Sequence, residues 1–199
     1  MGCGMVSHLL GAGYQCTIYN RTPAKCVPLE AKGAIVAASP KAVAEQADVV
    51  FVIVGLPTDV REVVLGPDGV LAGLKPGGVM VDCTTSTPSL AQEIYAQGQQ
   101  QGVATIDAPV SGGDTGAKTA ALPFTIGGDK EAVERIRPLF ALMGKNVRHM
   151  GGAGKGQHTK MVNQILIANT MIGRWKLRGE ERGGRRRGVF VLWGACVWV

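Results

Sequence analysis

DVVFVIVG, from Asp48 to Gly55, is an unbroken apolar run of strand length closed by a glycine. A strand with one face in water alternates polar and apolar residues, whereas one buried on both faces of a parallel sheet does not. GGVMVDCT, residues 77–84, repeats the pattern. On either side the chain alternates. VSHLLGAG ends a helix, TIYN is a strand, TPAKCVPLEAKG a helix and GAIVA a strand. SPKAVAEQA is a helix with Ser39 in the N-cap place and Pro40 at N1. SLAQEIYAQGQQQG is helical, VATIDAPV is a strand, and DKEAVERIRPLFALMG is one more amphipathic helix. Strands alternating with helices of this length build β-α-β units, so the fold class is α/β with a doubly wound parallel sheet.

After Gly151 the pattern changes. TKMVNQILIANTMIG places apolar residues at 161, 165, 168 and 172, with others beside them, which predicts a helix buried nearly all round. The expected organisation is therefore one α/β domain over 1–151, the start of a long helix over 152–173, and a tail over 174–199 that does not fold with them.

Charge supports that division. The net charge of +6 is concentrated in Arg174 to Arg187, which holds seven basic and two acidic residues, while the rest carries 14 and 13. All three tryptophans follow Gly173. No aromatic residues interleave with the arginines of RGEERGGRRR to stack on bases, so nucleic acid is a disfavoured partner. GVFVLWGACVWV is 12 residues long, short of the roughly 20 apolar residues that span a bilayer. The five cysteines are scattered with no C-x-x-C, which argues against a disulfide framework or a metal site and for a reducing compartment.

Doubly wound sheets bind dinucleotides at the carboxyl ends of their strands, beside a glycine loop that follows the first strand. Only Gly2 and Gly4, in MGCGM, lie near where the phosphate would sit, and MGCG alone is a weak signal. At the end of the next strand, where an acidic residue would accept from an NAD ribose, stand Asn20, Arg21 and Thr22. A guanidinium fork suits a 2′-phosphate, and Thr22 adds a hydroxyl donor, so NADP is expected over NAD. The alternative is a solvated turn with Thr22 capping the helix that begins at Pro23. In IDAPVSGG, the Ser111 hydroxyl and the N–H groups of Gly112 and Gly113 could nest a carboxylate, or the glycines could simply serve a tight turn. In GKGQHTKMVNQ, Asn163 and Gln164 share a helix face with Lys160. A lysine near a helix N-terminus is disfavoured as a cation, which lowers its pKa toward that of a general acid/base. A snorkelling lysine on a domain-bridging helix is the structural alternative.

Together these segments resemble the β-hydroxyacid dehydrogenase family, in particular 3-hydroxyisobutyrate dehydrogenase and its glyoxylate and semialdehyde reductase relatives. MGCGMVSHLLGAGY fits the second half of the cofactor signature G-x-G-x-M-G-x-x-M, DAPVSGGDTGAK the substrate loop, and GKGQHTKMVNQ the catalytic helix. VGLPTDV and VDCTTSTPS fit two cofactor loops. The resemblance covers about Met1 to Gly173. It implies hydride transfer between NADP(H) and a small 3-hydroxy acid or its aldehyde or keto form. Lys160 would be the proton-transfer residue, with Ser111, Gly112, Gly113, Asn163 and Gln164 on the substrate. Met1, Gly2, Asn20, Arg21, Thr22, Leu56, Pro57, Thr84 and Thr85 would lie at the cofactor. It also implies a homo-oligomer in a mitochondrial or cytoplasmic setting. KMVNQ lacks the histidine that follows K-M-V in 6-phosphogluconate dehydrogenase, which argues against that substrate.

Two departures from the family pattern stand out. The first strand and first two glycines of the cofactor signature are not in the sequence, and the match ends in mid-helix near Gly173. The expectation is a truncated or mis-spliced product, or an imperfect gene model, of such a dehydrogenase. A catalytically inactive NADP-binding fragment is the second reading, and nucleic-acid binding through the basic tail a remote third.

Overall fold

The computed structural model describes residues 1–181. The remainder of the basic tail, 182–199, lies outside the described residues. In chain order the elements are α1 (Gly2–Gly11), β1 (Thr17–Ile18), a 3-10 turn (Pro23–Lys25), α2 (Val27–Glu30), β2 (Ile35–Val36), α3 (Pro40–Ala44), β3 (Val49–Val52) and α4 (Pro57–Leu65). A second 3-10 turn (Val70–Ala72) leads to β4 (Val79–Asp82), α5 (Pro88–Gln100), β5 (Ala104–Asp107), α6 (Gly113–Lys118), β6 (Pro123–Gly127), α7 (Lys130–Arg135), α8 (Arg137–Met143), β7 (Asn146–Gly151) and α9 (Lys155–Glu181).

The main sheet has the order β3-β4-β5-β6-β7, and β1 and β2 form a separate parallel pair. β3, β4 and β5 run parallel, β6 is antiparallel to β5, and β7 is parallel to β6. β4 shows why the fold is doubly wound. All four of its residues are buried; Val79 and Val81 enter one hydrophobic core while Met80 enters the other. Both faces are thus covered, as an alternation-free strand requires. The same expectation for β3 holds on one face only. Val50 and Val52 are buried, but Val49 and Phe51 are half-buried, because β3 is an edge of this sheet. Phe51 still packs edge-on against Phe140, with ring centroids 5.8 Å apart.

Ser39 caps α3, its hydroxyl accepting from Ala42 N at 3.1 Å. The helix expected over 129–144 is two helices, α7 and α8, that meet at Ile136. Pro138 has no N–H to return to the carbonyl of Glu134, and its ring crowds that carbonyl, so the helix breaks there. TPAKCVPLEAKG likewise forms only a 3-10 turn and a four-residue helix, interrupted by Pro28.

The chain divides into two compact units, Met1–Thr159 and the residues from Lys160 on. The first turn of α9 falls within the first of these units. α9 continues past Gly173 to Glu181, so the first residues of the segment expected as a separate tail are helical. Nor is α9 buried all round. Val162, Ile165, Leu166, Met171 and Ile172 are more than half exposed among the described residues.

Candidate active site

The carboxyl ends of β3, β4 and β5 carry three loops that hold one another. After β3, Leu56 is the N-cap residue of α4 and Pro57 its first residue. The N–H of Leu56 donates to Asp59 Oδ2 at 3.0 Å. After β4, the Thr84 hydroxyl accepts from Val54 N at 3.0 Å, and Thr84 N donates to Asp82 Oδ1 at 2.9 Å. Thr84 is therefore buried and engaged in joining two loops, while Thr85 beside it is exposed. Of the two threonines expected at the cofactor, only Thr85 presents itself to solvent. The start of α1 lies over the same edge, where a Cβ added to Gly2 would stand 3.2 Å from Ile53 Cγ2.

Asn20, Arg21 and Thr22 follow β1 and are all exposed. Asn20 Oδ1 accepts from Thr22 N at 2.9 Å, an Asx turn that fixes the bend. Thr22 makes no side-chain cap to the turn that follows it, so the capping alternative does not account for its hydroxyl. The Arg21 guanidinium reaches toward Asp59 Oδ1 at 3.4 Å.

Ser111, Gly112 and Gly113 lead from the β5 loop into α6. Gly112 and Gly113 have φ of 94° and 59°, the left-handed region that a side chain would strain. The turn alternative is thus real, and the nest alternative is compatible with it, because both exposed glycines present backbone N–H groups. α1 backs this turn at close range, with His8 Nε2 2.9 Å from Ala117 O. A Cβ on Gly4 would meet the same carbonyl at 2.7 Å.

The first turn of α9 is fixed by side chains that the sequence reading did not single out. Asp107, the last residue of β5, accepts from Gly154 N and Gln157 N, both at 2.8 Å, one on each carboxylate oxygen. Gln157 donates through Nε2 to Thr84 O at 2.7 Å and accepts from Ser86 N at 2.9 Å. Asp107 and Gln157 are 4% and 1% exposed. Asp82 stands opposite Asp107 in the β4–β5 register, so two buried carboxylates are neighbours. Desolvation pushes Asp82 up to about 7 despite its bonds from Thr84, with the Asp107 charge adding to the rise. Desolvation also raises Asp107, but backbone N–H donors from Gly154 and Gln157 oppose it. Both carboxylates are thus shifted upward by burial, Asp107 against two backbone donors on its oxygens. The available signal was a carboxylate ending an apolar strand; its partners 47 and 50 residues away were not available from the sequence.

Lys160 lies three residues beyond Gln157 on α9 and is 6% exposed, and burial lowers its pKa from the ordinary lysine value. Asn163 and Gln164 follow on the same helix face, half-buried, with Asn163 Nδ2 3.5 Å from Gln164 Oε1.

A doubly wound sheet with its loops gathered at the strand carboxyl ends defines a dinucleotide-binding domain. The profile of the NAD binding domain of 6-phosphogluconate dehydrogenase matches residues 1–152, and the chain belongs to that family. It is 56% identical over 174 residues to "Probable 3-hydroxyisobutyrate dehydrogenase-like 1, mitochondrial" of Arabidopsis thaliana, covering 87% of this chain and 52% of that one. Among solved structures, Psf3 in complex with NADP+ and 2-OPP superposes with a TM-score of 0.85 at 30% identity, over 93% of this chain and 66% of that one. The 3-hydroxyisobutyrate dehydrogenase of Mycobacterium tuberculosis with L-serine gives 0.77 at 35% identity, over 89% and 62%. The chain spans about half the length of the curated relatives it matches.

Proposed function

We propose that the chain is the cofactor-binding part, with the proton-transfer helix, of an NADP-dependent 3-hydroxyacid dehydrogenase or reductase. The observation that carries the reading is Lys160, a buried lysine with a lowered pKa on a helix whose first turn is bonded to the β4 and β5 loops. Bound nicotinamide would supply or accept the hydride. Lys160 as ammonium would donate a proton to the carbonyl oxygen in reduction, and as free amine would take one from the hydroxyl in oxidation. Burial lowers its pKa from the ordinary lysine value, the direction that general acid/base work requires.

Ser111 and the Gly112 and Gly113 N–H groups would hold the substrate carboxylate, while Asn163 and Gln164 would orient the carbonyl or the lysine. Met1 and Gly2 would lie against the pyrophosphate, and Leu56, Pro57 and Thr85 would border the cofactor. Arg21, with Asn20 and Thr22, would select the 2′-phosphate. Its exposed guanidinium, tethered only at 3.4 Å, leaves donors to offer. The compartment proposed is mitochondrial or cytoplasmic, the substrate a small hydroxy acid or aldehyde, and the assembly a homo-oligomer. No helix of the described residues is long and apolar enough to cross a membrane.

The test is Lys160→Met in the complete gene product, assayed with NADPH against small aldehydes and keto acids. Turnover should fall by about 10²–10⁴-fold with NADPH affinity retained. Equal turnover by the variant would overturn the enzyme reading, and wild-type NADPH binding without any turnover would favour the inactive fragment.

A further inference from the structure

We infer that Asp59 is a specificity-determining residue for the cofactor: its carboxylate accepts from the 2′-hydroxyl of NAD(H) and opposes the 2′-phosphate of NADP(H), against the pull of Arg21. This rests on the reading of the strand ends as a dinucleotide site with Arg21 at the 2′ position. Such sites take NAD through a carboxylate at the end of the second strand, which accepts from a ribose hydroxyl. The run YNRTPAK that follows β1, residues 19–25, contains no acidic residue. Its neutral acceptor, Asn20 Oδ1, is engaged by Thr22 N at 2.9 Å within the run itself. The charge that the run presents is the Arg21 guanidinium.

The carboxylate comes instead from the first turn of α4, 38 residues further along the chain. Asp59 is the third residue of that helix, and its Oδ2 accepts from Leu56 N at 3.0 Å. This is the return half of a capping box, and the negative charge suits the positive end of the helix. Gly55 makes the room, since a Cβ there would stand 3.0 Å from the same oxygen. The bond to Leu56 fixes the side chain and leaves Oδ1 toward Arg21, 3.4 Å from Nη1. That is longer than the ordinary N–H···O bond of about 2.7–3.2 Å, so the two groups are neighbours and not a closed pair. By side-chain area Arg21 is 83% exposed and Asp59 22%, so the arginine is the movable partner and the carboxylate the fixed one. Capping α4 uses Oδ2 and gives no account of the second oxygen, which faces a cation from a different loop. A ligand group seated on the guanidinium therefore has Oδ1 as its neighbour. A hydroxyl there donates to the carboxylate in a charge-assisted bond, whereas a phosphate meets a like charge. Arg21 favours NADP(H), and Asp59 limits that preference, so NAD(H) is admitted as well.

The test is Asp59→Asn in the complete gene product, read as dissociation constants for NADPH and NADH by fluorescence titration. The amide keeps an oxygen for Leu56 N and places a neutral NH2 where Oδ1 stood. NADPH should tighten and NADH weaken, moving the ratio of the two constants toward NADPH by about tenfold or more. An unchanged ratio or an equal change for both overturns the inference. So does a shift toward NADH, because Asp59 would then be holding Arg21 for the phosphate. Should Asp59→Asn fail to fold, the wild type decides through 2′-deoxy-NADH. This probe lacks the hydroxyl and should bind about tenfold or more weaker than NADH. Equal binding of the two overturns the inference. A wild type that binds neither NADPH nor NADH sinks the dinucleotide reading and this inference with it, whereas binding of both with an unmoved ratio sinks only this one. Neither readout uses turnover, so the Lys160 assignment is tested separately.

Discussion

Under the proposed reading Arg21 carries cofactor choice, and its pairing with Asp59 bears on that role. Their 3.4 Å pair is solvent-exposed on the arginine side, 83% by side-chain area, and such pairs contribute at most about 1 kcal/mol. Asp59 is meanwhile bonded to Leu56 N through its other oxygen, so it can release Arg21 without losing its place. A 2′-phosphate offers a doubly charged partner, and a hydrogen bond to a charged group contributes about 1.5–3 kcal/mol. Arg21→Ala should therefore weaken NADPH binding by roughly 10- to 150-fold. NADH, with no phosphate to meet, should bind as before. Fluorescence titration of both cofactors checks this, and an equal loss for both would assign Arg21 to general electrostatics.

At the scale of elements, the paired carboxylates at the ends of β4 and β5 link sheet stability to pH. Asp82, raised in the folded chain to about 7, binds its proton more tightly folded than unfolded. Its contribution to stability is thus fully present below the unfolded carboxylate value near 4 and is lost as pH rises through about 7. Asp107 is shifted in the same direction. Asp82→Asn keeps an oxygen for Thr84 N and removes the titration. Its melting temperature should exceed the wild type's at pH 8 and decline less between about pH 4 and 7, as a thermal denaturation series would show. The strands that carry this pair were legible as apolar runs, and the α3 cap from Ser39-Pro40. β6 and β7 were not, because PFTIG is interrupted by a threonine and NVRHMG mixes polar and charged residues with its apolar ones, leaving no continuous apolar run. Lys160, Arg21 and the Gly112-Gly113 turn could be proposed from the sequence because their chemistry is local. Asp107 and Gln157 could not, because their meaning lies in a strand end meeting a helix start from a distant part of the chain.

At the scale of the whole chain, the two units differ in what they bury. The first holds the apolar cores on both faces of its sheet. In the second, Val162, Ile165 and Leu166 lie at 58%, 53% and 62% exposure, with Met171 and Ile172 near 55–60%. Spacings of three and four residues put Val162, Ile165 and Leu166 together on one side of α9, a contiguous apolar surface of the kind that binds hydrophobic probes or promotes association. Reversing that surface tests it without disturbing the sheet. Ile165→Glu with Leu166→Glu should cut binding of a hydrophobic fluorescent dye by about half or more, and lower any concentration-dependent association seen in light scattering. Because these positions are exposed, the unfolding midpoint of the first unit should move by no more than about 0.5 kcal/mol equivalent. A large loss of stability in the double variant would instead mean that this face is packed in solution, and the exposure of α9 would have to be abandoned.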